Sequence, residues 1–159
     1  RLGEAVVVER APMCKEKIIN FAALGKRNNL LKESGAAREH SYSPYSKFKV
    51  GAAVLCNDGT ISTGCNVENS SYPVSTCAER VAIGKAVSEG KRKFTALAVV
   101  ADNGDDTFVT PCGFCRQAIA EFGDIPVYMA ESKMKSVLRM TVSDLLPRAF
   151  GLGNINVFQ

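Results

Sequence analysis

The residues able to do chemistry gather in two short stretches, Cys77-Ala78-Glu79-Arg80 and Pro111-Cys112-Gly113-Phe114-Cys115. A third stretch, Asn66-Val67-Glu68-Asn69, precedes the first. The spacing of Cys112 and Cys115 is shared by redox pairs and by half-sites for zinc. Pro111 suits the first position of a helix over Cys112 to Phe122. Positions i and i+3 of a helix share a face, so both thiols would lie in its first turn. There the positive end of the helix dipole favours thiolate over thiol. Cys77 opens a helix of its own, and two helix starts bearing three thiols can converge on one cation.

The ligand count separates two kinds of metal site. A closed structural zinc site takes four protein ligands. The remaining candidates, Cys14, Cys56, Cys65 and the lone His40, stand at no metal-binding spacing. They are read as small buried residues and, for His40, an exposed one. Three thiolates with an open fourth position make a catalytic site instead, where zinc brings the pKa of a bound water from 15.7 to about 7. Glu79 falls about 200° round a helix from Cys77, so face geometry alone does not bring it to the metal. A helix pointing end-on into the site would do so and would give the carboxylate a proton-shuttling role. Arg80 is placed to offset the charge of three thiolates on one dication.

These residues must be positioned by an alternation of helices and strands. Lys15 to Glu33 carries apolar residues mostly on one helical face and is expected to form a helix ended by Ser34-Gly35. Ser43-Pro44-Tyr45-Ser46 reads as a turn. Phe48 to Cys56 and Thr60 to Asn66, joined by Asn57-Asp58-Gly59, read as a hairpin. A helix over Cys77 to Ser88, capped by Ser75 or Thr76, stops at Gly90. Phe94 to Ala101 is an unbroken apolar run, as in a strand buried on both faces. Strands over Ile125 to Ala130 and Ser136 to Thr141 and one helical turn at Ser143 to Leu146 complete the pattern. Helices set between buried strands imply an α/β fold in two or three layers around one sheet.

Composition excludes several function classes. The chain of 159 residues is long enough for a full core in one domain. Its 46% hydrophobic and 23% charged residues argue against a disordered or fibrous chain. No apolar run approaches the roughly 20 residues of a membrane span. The net charge of 20 − 16 = +4 is spread along the chain. With no Trp and 8% aromatics there is little for nucleic-acid stacking. Six cysteines without a secretory leader suit a reducing, cytoplasmic setting.

In order, Tyr42-Ser-Pro-Tyr-Ser-Lys-Phe48, Gly64-Cys-Asn-Val-Glu-Asn69, Cys77-Ala-Glu-Arg80, Pro111-Cys-Gly-Phe-Cys-Arg-Gln117 and Asp144-Leu-Leu-Pro-Arg-Ala-Phe-Gly151 resemble the homotetrameric, three-cysteine zinc class of cytidine deaminases. Cys-x-Glu followed by Pro-Cys-x-x-Cys is the zinc deaminase signature, with Cys in place of His. The resemblance covers roughly 13–151 as a catalytic domain, leaving an N-terminal extension of residues 1–12 and a tail of 152–159. It implies a three-layer α-β-α fold with a mixed five-stranded sheet. It implies one Zn2+ per chain on Cys77, Cys112 and Cys115, with Glu79 as proton shuttle and Arg80 tempering the thiolate charge. It implies nucleoside contacts from Phe48 stacking on the base, Asn66 and Glu68 on the ribose 3′-hydroxyl, and the Ala78 backbone on the pyrimidine carbonyl. Tyr72 would lie near a subunit-spanning site, and Phe150 would enter a neighbouring subunit's site. The implied reaction is hydrolytic deamination of cytidine and 2′-deoxycytidine in pyrimidine salvage. Water and nucleoside are its partners, with neither nucleic acid nor membrane. A deaminase of a modified aminopyrimidine nucleoside would be expected to disturb the Asn66 and Glu68 pair, which is intact.

Overall fold

The computed structural model describes residues 17–102 and 107–151. The extension 1–12, the tail 152–159 and Cys14 lie outside the described residues. In chain order the elements are β1 (Lys17–Asn20), α1 (Asn28–Arg38), β2 (Val50–Cys56), β3 (Ile61–Cys65), α2 (Ala78–Ser88), β4 (Phe94–Ala101), α3 (Gly113–Ala120), β5 (Pro126–Glu131), β6 (Ser136–Thr141) and the single turn α4 (Val142–Leu145). The strands form one sheet in the order β1-β6-β5-β4-β2-β3. β4 and β5 run parallel across the α3 crossover, and the other neighbours are antiparallel.

Six strands stand where five were expected. The helix expected from Lys15 to Glu33 is not continuous. Lys17–Asn20 pairs along the open edge of β6, with Lys17 opposite Arg139 and Asn20 opposite Ser136. The Asn20 side chain then accepts from the Ala22 N–H at 2.9 Å and starts a 3-10 turn over Phe21–Arg27. Gly25, at φ 58°, breaks the helical path inside that turn. α1 runs past Ser34-Gly35 to Arg38, because the Ser34 hydroxyl turns away from its own helix and donates to the Gly51 carbonyl at 2.8 Å.

The pleat of β4 divides the core into its two halves. Leu97 and Val99 face one side, with Ala52 and Val54 of β2 and Ala78, Ala82 and Ala86 of α2. Ala96, Ala98 and Val100 face the other, with Ala53 and with Leu30 and Leu31 of α1. α1 therefore covers one face, and α2, α3 and α4 cover the other. This is the expected three-layer α-β-α arrangement, and β4 is the strand buried on both sides.

Register brings the chemistry to one end of the sheet. Gly51 is opposite Cys65 on one side and Val100 on the other. The end of β3, the start of β2 and the end of β4 thus lie in one row. The chain leaves that row twice, once to enter α2 and once to enter α3. α2 sits very close to β3: a methyl group at Gly64 would stand 2.4 Å from the Ala82 nitrogen and 2.7 Å from the Ala78 oxygen.

Candidate active site and metal centre

Cys77 and Cys112 are the N-cap residues of α2 and α3, both in extended conformation. An N-cap side chain normally accepts a hydrogen bond from the first turn. Neither thiol does so, which leaves both sulfurs turned outward from their helices. Cys115 lies one turn into α3 and is fully buried. The three sulfurs all lie within 4.8 Å of one another, and those of Cys77 and Cys112 are 3.8 Å apart. Tetrahedral zinc with bonds of about 2.3 Å sets its sulfur ligands about 3.8 Å apart. The spacing and the soft donor set both fit zinc.

The electrostatics favour thiolate. The Cys77 thiol falls to a pKa of about 5, because the Cys115 thiol donates to it, followed by Cys112 and the adjacent Arg80. The same interaction with Cys77, together with burial, holds Cys115 above the ordinary thiol range. A dication among the three sulfurs would favour the thiolate form.

Glu79 lies in the first turn of α2 and is 4% exposed. As N-cap, Cys77 stands outside the helical wheel, so the expected separation of about 200° does not hold and the end-on arrangement does. The Glu79 carboxyl is beside the Cys115 thiol. Burial first, then the charge on Cys77, raises its pKa above the ordinary carboxylate range. Arg80 donates to the Ser75 carbonyl at 3.3 Å and lies 5.7 Å from the Phe114 ring centre. Its guanidinium stands beside Cys77 and Cys115, and its Nε is buried without a hydrogen-bond partner.

A cleft of about 320 Å³ is lined by Tyr45, Ser46, Glu68, Tyr72 and Ser75. One Glu68 oxygen accepts from the Tyr45 and Ser46 N–H groups at 2.9 and 3.2 Å, and the other accepts from the Ser46 hydroxyl. These bonds, led by the hydroxyl, hold the carboxyl below its usual range. Asn66 is more engaged. Its Oδ1 accepts from the Val50 N–H at 2.9 Å and the Ser41 hydroxyl at 2.5 Å, and its Nδ2 donates to the Phe48 carbonyl at 2.8 Å. One Nδ2 proton remains. Phe48 is half-buried beyond the Pro44–Ser46 turn. Ala78 is fully buried, and as the first residue of α2 its N–H has no acceptor within the helix.

Tyr72 and Phe150 are 69% and 75% exposed. Phe150 is fixed by Gln117 of α3, which donates to its carbonyl at 2.9 Å and accepts from its N–H at 3.1 Å. Sequence reasoning assigned no role to Gln117 or to Arg116. Arg116 holds the approach to α3 by donating to the Pro111 carbonyl, the Thr110 hydroxyl and the Leu145 carbonyl at 2.7, 2.9 and 2.8 Å. Their place in the motif Pro111 to Gln117 was the available signal. Of the other cysteines, Cys56 is buried, while Cys65 is only half-buried and donates to the His40 carbonyl at 3.4 Å. His40 is exposed, as expected.

Among the described residues, three convergent thiols and a buried carboxyl at the end of an α/β sheet make up the donor set of a zinc enzyme's metal site. The sequence pattern of the family described as cytidine and deoxycytidylate deaminase zinc-binding region matches residues 24–131. The chain belongs to that family, and its metal site takes one zinc ion. It is 57% identical to a cytidine deaminase of Sporosarcina psychrophila over 123 residues, 76% of this chain and 88% of the relative. It is 48% identical to a cytidine deaminase of Halalkalibacterium halodurans over 132 residues, 82% and 98% of the two chains. The crystal structure of the cytidine deaminase from Burkholderia pseudomallei superposes with a TM-score of 0.73 at 43% identity, covering 77% of this chain and 98% of that one.

Proposed function

We infer that this chain catalyses the zinc-dependent hydrolytic deamination of cytidine to uridine and ammonia, and of 2′-deoxycytidine in the same way. The observation that carries the reading is the burial of Glu79 in the same helical turn as Cys77, against three sulfurs within 4.8 Å of one another. Cys77, Cys112 and Cys115 would hold the zinc, which would supply the Lewis acidity that activates water near neutral pH.

The chain's own residues do the rest. Glu79 takes a proton from the attacking water and delivers it to ring N3, which makes C4 more electrophilic. When the oxygen has added at C4, the same carboxylate takes the remaining proton from that oxygen and delivers it to the amino group. Ammonia leaves, and C4 keeps the oxygen as a carbonyl. One carboxyl serves as base and then acid, which suits a group whose pKa is tuned by burial. Arg80 tempers the thiolate charge. The Ala78 N–H, free of helical acceptors, meets the pyrimidine carbonyl, and Phe48 stacks on the base. Glu68 and the remaining Asn66 proton hold the ribose 3′-hydroxyl. Contacts on the 3′ side leave the 2′ position unread, so both nucleosides are accepted.

The domain is read as 13–151, and the enzyme as a cytoplasmic homotetramer of pyrimidine salvage. The exposed Tyr72, Phe114 and Phe150 support an assembly in which Phe150 enters a neighbour's site, with Tyr72 near the join. No described helix is long and apolar enough to cross a membrane.

The decisive experiment measures zinc content and cytidine turnover on one purified sample, following the ultraviolet change from cytidine to uridine. Turnover at one zinc per chain supports the reading. One zinc per chain without turnover of either nucleoside overturns the substrate assignment.

A further inference from the structure

Three cations converge on a cleft that deamination does not use. Lys17 of β1 is opposite Arg139 of β6, and Arg139 is opposite Tyr128 of β5. The three therefore share one row and one face of the sheet. That face carries α1, because Tyr128 packs in the core half with Leu30 and Leu31. The three thiols approach from the side of α2 and α3. Arg27, at the end of the 3-10 turn, donates to the Tyr128 hydroxyl at 2.5 Å, with its guanidinium carbon 5.6 Å from the ring centre. With Ile19, Ala23 and Leu24, these residues line a cleft of about 410 Å³.

Like charges directly opposite on antiparallel strands repel and destabilise the pair. Among the described residues, no carboxylate lines this cleft. Among the described residues, Lys17, Arg27 and Arg139 form no ion pair. The Tyr128 oxygen accepts from Arg27, which leaves its own proton to donate. We propose that the cleft binds phosphate, either the free ion or a small phosphate monoester. A phosphate dianion brings charge and several acceptor oxygens to three cations and a hydroxyl, the pattern that Arg and Lys recognise best. The cleft has the size of a small-molecule site. A polynucleotide calls for cations strung along a groove, and here all three line one cleft. Lys17 and Arg139 both lie outside the stretch 24–131 that the family pattern matches. The proposal does not depend on the deaminase reading.

The test is calorimetric titration of the full zinc-loaded chain with inorganic phosphate and with ribose 5-phosphate. Neither probe carries a pyrimidine to enter the nucleoside site. One equivalent should bind per chain. Lys17→Gln and Arg139→Gln should each weaken binding about tenfold or more, while Lys17→Arg retains it. Zinc content and cytidine turnover should stay at the level of the unsubstituted chain. Tighter binding of the ester identifies a phosphate monoester, and equal binding identifies the phosphate group alone. Absence of saturable heat from both probes overturns the proposal. So does unchanged affinity in the two Gln variants, or binding of a single-stranded oligonucleotide without either probe.

Discussion

The sulfurs of Cys77 and Cys112 stand 3.8 Å apart, although 35 positions separate them in sequence. Each caps a different helix, and the two helices start from the same end of the sheet. The metal geometry is therefore a product of strand register. Cys112→Ala should lose most of its zinc together with cytidine turnover, because two thiolates cannot enclose the ion. Metal analysis of the purified variant checks this, and full zinc occupancy would remove Cys112 from the ligand set.

Glu79→Gln keeps the shape of the buried carboxyl and removes its ability to carry a proton. Zinc content should be unchanged, and kcat should fall by about 10²–10⁴-fold or more, the range of general acid–base catalysis. Near-normal kcat at full zinc would contradict the proton-shuttle role.

Burial raises the Glu79 pKa in the folded chain above its ordinary value of 4.5. A group whose folded pKa is raised contributes stability below its unfolded value, and that contribution is lost as pH rises through the folded one. Zinc-free protein should accordingly lose stability above about pH 4.5 through this group. The zinc-free Glu79→Gln protein should melt a few degrees higher than its parent at neutral pH, and the gap should close on acidification. Melting curves of the metal-stripped pair across this range decide it; a gap that widens toward acid has the wrong sign.

Glu68 is held by three hydrogen bonds from the Tyr45–Ser46 turn and faces the same cleft as Tyr72. The proposed ribose contact predicts that Glu68→Gln raises KM for cytidine about tenfold or more, the scale of one lost charged hydrogen bond. Zinc content should not change. Steady-state kinetics with cytidine separate this from a metal defect, and an unaltered KM would place the ribose elsewhere.

Gly64 is where β3 and the first turns of α2 come closest. Gly64→Ala drives a methyl group against the backbone of Ala78 and Ala82, at 2.7 and 2.4 Å. Backbone yields less readily than a flexible side chain, so a loss of about 1–3 kcal/mol or more is expected. Urea denaturation of the zinc-loaded variant measures it. An unshifted midpoint would mean that α2 is free to move away from the sheet.

The three-cysteine cluster was legible because its residues sit at element boundaries. Pro111 and Gly123 marked both ends of α3, and the unbroken apolar run identified β4. The role of Glu79 was half legible. Its angle from Cys77 on an ideal helix pointed away from the metal, and only the extended conformation of the N-cap reverses that. The stretch from Lys17 to Gly25 was misread because a few apolar residues at helical spacing also suit a short strand and a turn. What separated them was the open edge of β6, a partner more than 110 residues away in sequence. The bonds of Asn66 to Ser41, Phe48 and Val50 were likewise beyond sequence reasoning, since they are closed by the loop between α1 and β2.

The two helix starts also impose an order in time. A chain emerging from the ribosome offers Cys77 first, then the whole of β4, and only afterwards Cys112 and Cys115. Until α3 has left the exit tunnel, a single thiol stands at the end of an incomplete sheet, and one thiol does not retain the ion. The three-thiol site is therefore complete only once α3 has emerged and the crossover between β4 and β5 has closed.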